Sequence, residues 1–387
     1  MAAALACTQA GHGVQVFESA AEFAEVGAGV QLGPNVTRVL HRWGLTQALA
    51  KIAAFPAKLQ ARDARSGQVL GTLRLGETAR QRYGFAYATA HRADLHGMLL
   101  QALTSPDQSK AATVTRLHLN QRVESFQQDG SGVILRMAQH AKHEEEQGDL
   151  LIGADGLWSS VRAALLSDGL PQPTGHLAYR ALVRQADLPQ ALRSTQITAW
   201  LGPRLHVVHY PVRGGDWLNV ACFVHGTTAN QPNDWDAQGN AAVLRQALGP
   251  TCPSLQDLIH AISDWRLWVM HRRAPMAGPH QHAQGRVALL GDAAHPMLPF
   301  LAQGSGMAIE DAAALGQCLN AEIDVPLALQ NYANQRWARN ARVQARSTRN
   351  GQIFHATGLL RWGRNLSMKV LGERVMDLPW LYGNHPE

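Results

Sequence analysis

Hydrophobic and polar positions change period several times along the chain, and each change marks an element. Ala2 to Ala10 is rich in helix formers and stops at Gly11-His12-Gly13, a good C-terminal cap. VQVFE, residues 14 to 18, then alternates and is β-branched, which predicts a short strand ending in an acid. Asn35 predicts the N-cap of a helix over Val36 to Trp43, ended by Gly44. Two alternating runs, AKLQARDAR and QVLGTLRL, predict a hairpin turning at Ser66-Gly67. From His91-Arg92-Ala93-Asp94 onward the period becomes helical, with Leu95, Met98, Leu99, Ala102 and Leu103 on one face. Residues 175 to 225 read mostly as strands. Within RLHVVHYPV, strict alternation puts Leu205, Val207 and His209 on one face and His206, Val208 and Tyr210 on the other. A buried strand, VALLG, and a long helix from about Met307 complete an α/β pattern.

Composition narrows the class. The 387 residues suffice for about two or three domains. A hydrophobic fraction of 46% with 17% charged residues excludes a disordered chain. The net charge of +6 favours anionic ligands such as nucleotides and aromatic carboxylates, but no Lys/Arg run supports a nucleic-acid partner. Cys7, Cys222, Cys252 and Cys318 lie far apart, which predicts neither a cysteine metal site nor a disulfide framework. No apolar stretch approaches the ~18 residues of a membrane span, and the first residues lack a signal-type pattern. The expectation is a cytoplasmic protein without stable membrane association. HExxH, EF-hand, P-loop and G-x-S-x-G motifs are absent, so no resident metal is expected.

Four blocks and one arginine carry candidate chemistry. The helix, glycine turn and strand over residues 2 to 18 form the second half of a dinucleotide-binding βαβ unit, in which the Glu18 carboxylate can accept ribose hydroxyls. EVGAGVQLGPN, residues 25 to 35 and including Val30, allows close backbone approach to a ligand. Arg92 sits at a helix N-terminus, where the macrodipole disfavours a cation unless an anion or carbonyl-rich ligand lies nearby. DLLIGADGLWSSVR runs from a strand into a tight turn, with Asp155 near a helix start and Arg162 on that helix. RVALLGDAAHPMLPFLAQGSGMAIED is the most specific block. Its strand delivers Asp292 to a carboxyl end, Pro296 and Pro299 hold a loop extended, and QGSG opens a helix. The N–H groups and positive dipole end of that helix await whatever lies against Gly304 to Gly306.

In this order and spacing the blocks resemble the group A FAD-dependent aromatic hydroxylases, closest to the salicylate hydroxylase and 3-hydroxybenzoate 6-hydroxylase branch, over essentially the whole chain. The resemblance implies an FAD-binding dinucleotide fold, three-layered with a parallel sheet, an inserted mostly antiparallel substrate layer and C-terminal helices. Residues 1–174 and 276–387 would form the FAD-binding domain and residues 175–275 the substrate layer. It further implies that Glu18 binds the adenosine ribose, that Val30 and Arg92 lie along the FAD, and that Asp292 meets its ribityl or pyrophosphate part. Gly304, Ser305, Gly306 and Met307 would face the flavin pyrimidine edge, and Asp155 is linked to FAD and the nicotinamide cofactor. NADH or NADPH would reduce the flavin, and O2 would hydroxylate a small phenolic or aromatic carboxylate, salicylate-like, by way of a flavin hydroperoxide. His209 is the expected group for orienting or ionising the phenol, with Tyr210 beside it. Pro296 contributes to an apolar pocket with Phe300 and Leu301, and Arg180 is a possible carboxylate partner. Monomer and homodimer are both open.

One departure from the family stands out: no strand and G-x-G-x-x-G turn precede residues 2 to 18. The alternative reading is therefore a truncated, FAD-deficient, non-catalytic homologue. The chain as written is expected to bind FAD weakly, because backbone N–H groups for the pyrophosphate are missing. Adding an upstream strand with that turn should raise both bound FAD per chain and the thermal unfolding temperature, measured side by side; equal values for the two lengths would refute the expectation.

Overall fold

The computed structural model describes residues 1–23, 28–105, 114–138, 144–226 and 237–383. Glu25, Val26 and Gly27 of the glycine-rich loop lie outside the described residues. The helix Ala2–Gln9 buries Leu5, Ala6 and Cys7 against the helix Gly304–Ala321. A Cβ on Gly316 would stand 2.9 Å from the Ala6 carbonyl oxygen, so only glycine lets the two helices cross this closely. The strand Val14–Phe17 follows as expected and pairs in parallel with Thr115–His118, while Leu151–Gly153 pairs in parallel with Val287–Leu289. Short parallel strands between helices define the dinucleotide-binding lobe, whose core joins Leu5, Val36, Leu99, Leu290, Leu315 and Tyr332.

The second layer is an eight-stranded sheet. Its strands run in the order Ala237–Gly239, Trp265–Arg272, Gln172–Arg184, Trp217–His225, Leu205–Val212, Ile197–Gly202, Lys58–Asp63 and Val69–Arg74. Neighbours are antiparallel except Ile197–Gly202 against Lys58–Asp63. The hairpin predicted around Ser66-Gly67 forms, but it extends the eight-stranded sheet rather than the first lobe. A boundary drawn at residue 174 misses this, because the parallel pairing joins strands more than a hundred residues apart. One face of the sheet packs under the helices Ala241–Leu248 and Pro253–His260. The other packs on the segment Met297–Leu301. Among the described residues no helix is long and apolar enough to cross a membrane.

Two helix starts differ from expectation. The helix at Asn35 runs Pro34–Arg42, with Gly33 as its cap. The Asn35 amide is drawn inward instead, donating to Gln303 at 3.0 Å and Glu310 at 2.7 Å. The helix expected from Met307 begins at Gly304, one turn earlier.

A buried ionic network joins these pieces. Arg336, on the long helix Val325–Phe354, donates to Asp311 at 2.7 Å and to Glu310 at 2.9 Å. Asp311 also accepts from Asn340, from His295 and from the Gly291 backbone N–H. Arg339 grips both Glu310 oxygens and, through the Trp380 and Leu381 carbonyls, the C-terminal segment. Burial alone would raise the Asp311 pKa, but His295 and Arg336 outweigh it and hold the acid well below the carboxylate range. Arg336→Met should leave two buried carboxylates short of a partner and lower the free energy of unfolding by about 3–5 kcal/mol, read from urea denaturation.

Candidate active site

The block containing Asp292 is shaped by side chains from elsewhere. The strand Val287–Leu289 leads into Gly291, whose φ of +61° favours glycine and whose Cβ position, 3.2 Å from Ala308, leaves little room for a side chain. Arg162, buried, donates one edge to the Ala293 and Ala294 carbonyls at 3.0 and 2.6 Å and the other to Asp168. The DLLIGADGLWSSVR block therefore clamps the block that carries Asp292. Beyond it the long helix holds the extended loop by alternate carbonyls. Gln344 donates to Pro296 at 2.9 Å, Ser347 to Leu298, and Asn350 to Phe300 at 3.0 Å. Gly351 completes the fit, since a Cβ there would stand 2.5 Å from the Phe300 ring.

Asp292 emerges from this scaffold as a solvent-accessible acid between the buried Gly291 and Ala293. Surrounding protein desolvates it and raises its pKa, while His295 and Arg92 pull the other way. Asp292 Oδ1 lies 4.0 Å from where a Gly304 Cβ would be, so the acid sits beside the first turn of the helix Gly304–Ala321. Gly304, Ser305, Gly306 and Met307 form that turn. A Cβ on Gly306 would collide with Gln303 and Val36 at 2.8 Å, and Met307 is fully buried. Arg92 opens its own helix, with its backbone N–H donating to Ala28 at 2.8 Å; that fastens it beside the strand Gly29–Leu32, where half-buried Val30 pairs with Ala90. Gln303 Nε2 is buried without an acceptor among the described residues. An accessible acid, a cation, a glycine-built helix start and an unmet amide donor fit a carbonyl-rich anionic cofactor.

Two further expected cofactor residues are engaged in local hydrogen bonds. Asp155 accepts from Ser159, Ser160 and the Val161 N–H, so its oxygens cap the helix Ser160–Leu166. Glu18 ends its strand as expected, with one oxygen taking the Ala20 N–H at 2.9 Å.

The sheet supplies the opposing wall. Register places Ala178, Phe223 and His206 in one row, Arg180, Ala221 and Val208 in the next, and Leu182, Asn219 and Tyr210 in a third, all on one face. Tyr210 packs with Met307 and Leu301, and Val208, Ala221 and Phe223 with Leu298 and Phe300. A Gly29 Cβ would meet Tyr210 at 2.6 Å, which brings the Val30 strand to the same place. Arg180 is buried, lies over Trp268, and its charge partly offsets the burial that raises the Tyr210 pKa. His209 is not brought here. The alternation that turns Tyr210 inward turns His209 to the opposite face, against Trp200, where burial and then Arg62 push its pKa down to about 4. His206 is the histidine on the inner face, neutral because burial and then His355 hold its pKa well below the ordinary value. Sequence spacing alone could have separated the two faces but not oriented them.

A dinucleotide-type lobe with an acid at the mouth of a glycine-built helix, closed by an antiparallel sheet, defines a flavin-dependent aromatic-ring monooxygenase. A family model described as an FAD binding domain matches residues 1–347, and the chain belongs to that family. It is 37% identical over 387 residues to a 3-hydroxybenzoate 6-hydroxylase of Polaromonas naphthalenivorans (strain CJ2), covering 99% of this chain and 93% of that protein. To the 3-amino-4-hydroxybenzoate 2-monooxygenase PtnB3 of Streptomyces platensis it is 34% identical, covering 97% and 91%. Klebsiella pneumoniae HpxO complexed with FAD and uric acid superposes with a TM-score of 0.83 at 25% identity, covering 97% and 91% of the two chains. A salicylate hydroxylase substrate complex gives 0.78 at 25% identity, covering 98% and 92%. The protein is an FAD-dependent aromatic hydroxylase of the 3-hydroxybenzoate 6-hydroxylase type, and NAD(P)H and O2 are the co-substrates general to its family.

His209 gives a pH signature. Its folded pKa is depressed, so the unfolded chain binds more protons below about pH 6.5 and stability falls as pH drops from there towards 4. Between pH 7 and 5 this group should cost the folded state about 2 kcal/mol, and His209→Gln should remove that share of the acid sensitivity in urea titrations at the two pH values.

Proposed function

We propose that the chain hydroxylates a small phenol bearing a carboxylate, salicylate-like, using NADH or NADPH and O2. The observation that carries this reading is the inner sheet face, where Arg180, His206 and Tyr210 surround a row of small side chains at Ala221, Val208 and Ala199. Buried Arg180 offers a planar fork for a carboxylate. Neutral His206, its Nδ1 engaged by His355 at 2.7 Å, can hydrogen-bond the phenol oxygen through Nε2, the orienting role expected of His209, and Tyr210 orients the ring oxygen from the other side. Pro296, Leu298 and Phe300, held by their carbonyls, exclude water from the reacting carbon. The names of relatives acting on hydroxybenzoates point the same way.

FAD, when bound, supplies the redox chemistry that activates O2. Glu18 would hold its ribose and Val30 and Arg92 its length. Asp292 would hold the ribityl or pyrophosphate part, and Gly304 to Met307 would present a positive helix end to the flavin ring. Asp155 acts on this site through the helix it caps and the Arg162 clamp. The FAD-binding domain then comprises residues 1–174 and 276–387, less the hairpin 58–74, which joins the substrate layer of 175–275. Of monomer and homodimer, the homodimer is favoured by the helix Gly358–Leu371, which exposes Leu359, Leu360, Trp362 and Val370 along its surface.

Arg180→Met separates this reading from its rivals. Losing a charge-assisted pair should raise KM for hydroxybenzoates roughly 10- to 100-fold and leave KM for the same phenol without its carboxylate nearly unchanged, both followed by NAD(P)H oxidation. Equal losses on both substrates would remove Arg180 from the substrate site.

A further inference from the structure

Outside the flavin crevice, three histidines from three separate elements converge. His176 lies on the strand Gln172–Arg184, His225 ends the neighbouring strand Trp217–His225, and His355 caps the long helix Val325–Phe354. The two strands pair so that His176 and His225 stand directly opposite. Ring centroids are 4.4 Å apart for His176–His225, 5.1 Å for His225–His355 and 5.2 Å for His176–His355, a nearly equilateral set. One ring nitrogen from each lies within 4.8 Å of the others.

We propose that His176, His225 and His355 form a site for a zinc-class divalent cation, with a fourth position open to water. Their hydrogen bonds support it. His176 Nδ1 must donate to the Thr174 carbonyl at 3.0 Å, which leaves Nε2 with the lone pair. A backbone carbonyl on the far nitrogen is the usual way a ligating imidazole is held. His225 Nε2 and His355 Nδ1 face each other at 3.0 Å. Tetrahedral zinc at ~2.0–2.1 Å from each nitrogen needs them about 3.3 Å apart, a small opening that exposed His225 can provide. His355 is buried and His225 exposed, so the site has both a fixed floor and an entrance.

The donor set selects the ion. Three imidazole nitrogens converge and no carboxylate joins them in this group. Such a site suits cations that bond imidazole well, zinc above all, and rejects magnesium and calcium, which want oxygen ligands. The second histidine group, His282, His295 and Asp311, differs: it is fully buried and its acid is already committed to Arg336, Asn340 and Gly291.

Binding would tie the end of the long helix to two strands of the sheet. It would also set a proton: His355 ligated through Nδ1 carries its hydrogen on Nε2 and donates it to His206 Nδ1, 2.7 Å away. The test uses the untagged, chelator-stripped full chain, titrated with Zn2+ alone in a calorimeter and with Co2+ for its tetrahedral visible absorption. One Zn2+ per chain, the cobalt band, a raised thermal midpoint and no response to Mg2+ are expected. The double variant His176→Gln/His225→Gln should weaken zinc binding at least 100-fold while its metal-free thermal midpoint stays that of the parent. No zinc binding by the parent, or unchanged zinc affinity in the double variant, would overturn the proposal.

Discussion

The guanidinium of Arg336 is the point on which the rest of the molecule turns. It lies buried between Asp311 and Glu310, and each carboxylate passes the constraint on. Asp311 fixes Gly291 and His295, which bracket Asp292; Glu310 fixes Asn35 and, through Arg339, the C-terminal segment. Such a network is costly to bury and gains little net stability over an apolar core. Its value here is register. Every partner is at a set distance from the others, so the crevice keeps its shape although it is assembled from distant stretches of chain.

The loop over Pro296–Leu301 shows the same logic with neutral groups. A loop of prolines and apolar residues has carbonyls that burial would otherwise leave unmet. Gln344, Ser347 and Asn350 meet them from one side of the long helix, while Asp168 pairs with Arg162, which reaches the Ala293 and Ala294 carbonyls, and with Arg273, whose own carbonyl accepts from Gln344. Apolar side chains are thereby free to face the sheet. The inner face is covered by a loop that stays in place because its backbone is satisfied, which hydrophobic packing alone would not ensure.

Much of this was legible in the residues. The helix, glycine stop and strand over residues 2 to 17, the hairpin at Ser66-Gly67 and the start at Arg92 all formed, because each rests on local rules: capping, turn chemistry and period. Asp292 and the Gly304 helix start were recognisable because strand, turn and helix are contiguous in the chain. The polar residues inside the long helix were not legible as clamps, since Gln344, Ser347 and Asn350 look like ordinary solvated positions until their carbonyl partners, some fifty residues away, are known.

The sequence by itself determined which elements exist, which side chains alternate on a strand, and which block carries an acid to the mouth of a helix. These follow from covalent geometry and nearest-neighbour energetics. Only the tertiary structure decided which face of Leu205–Val212 looks at the crevice, sending Tyr210 and His206 inward and His209 outward. It alone gathered His176, His225 and His355, and it alone gave the hairpin 58–74 to the substrate sheet. For the strand the physical reason is plain. A strand's alternation has two equivalent phases, and the choice between them is made by what packs on each side, which is a property of the whole chain and of no local window.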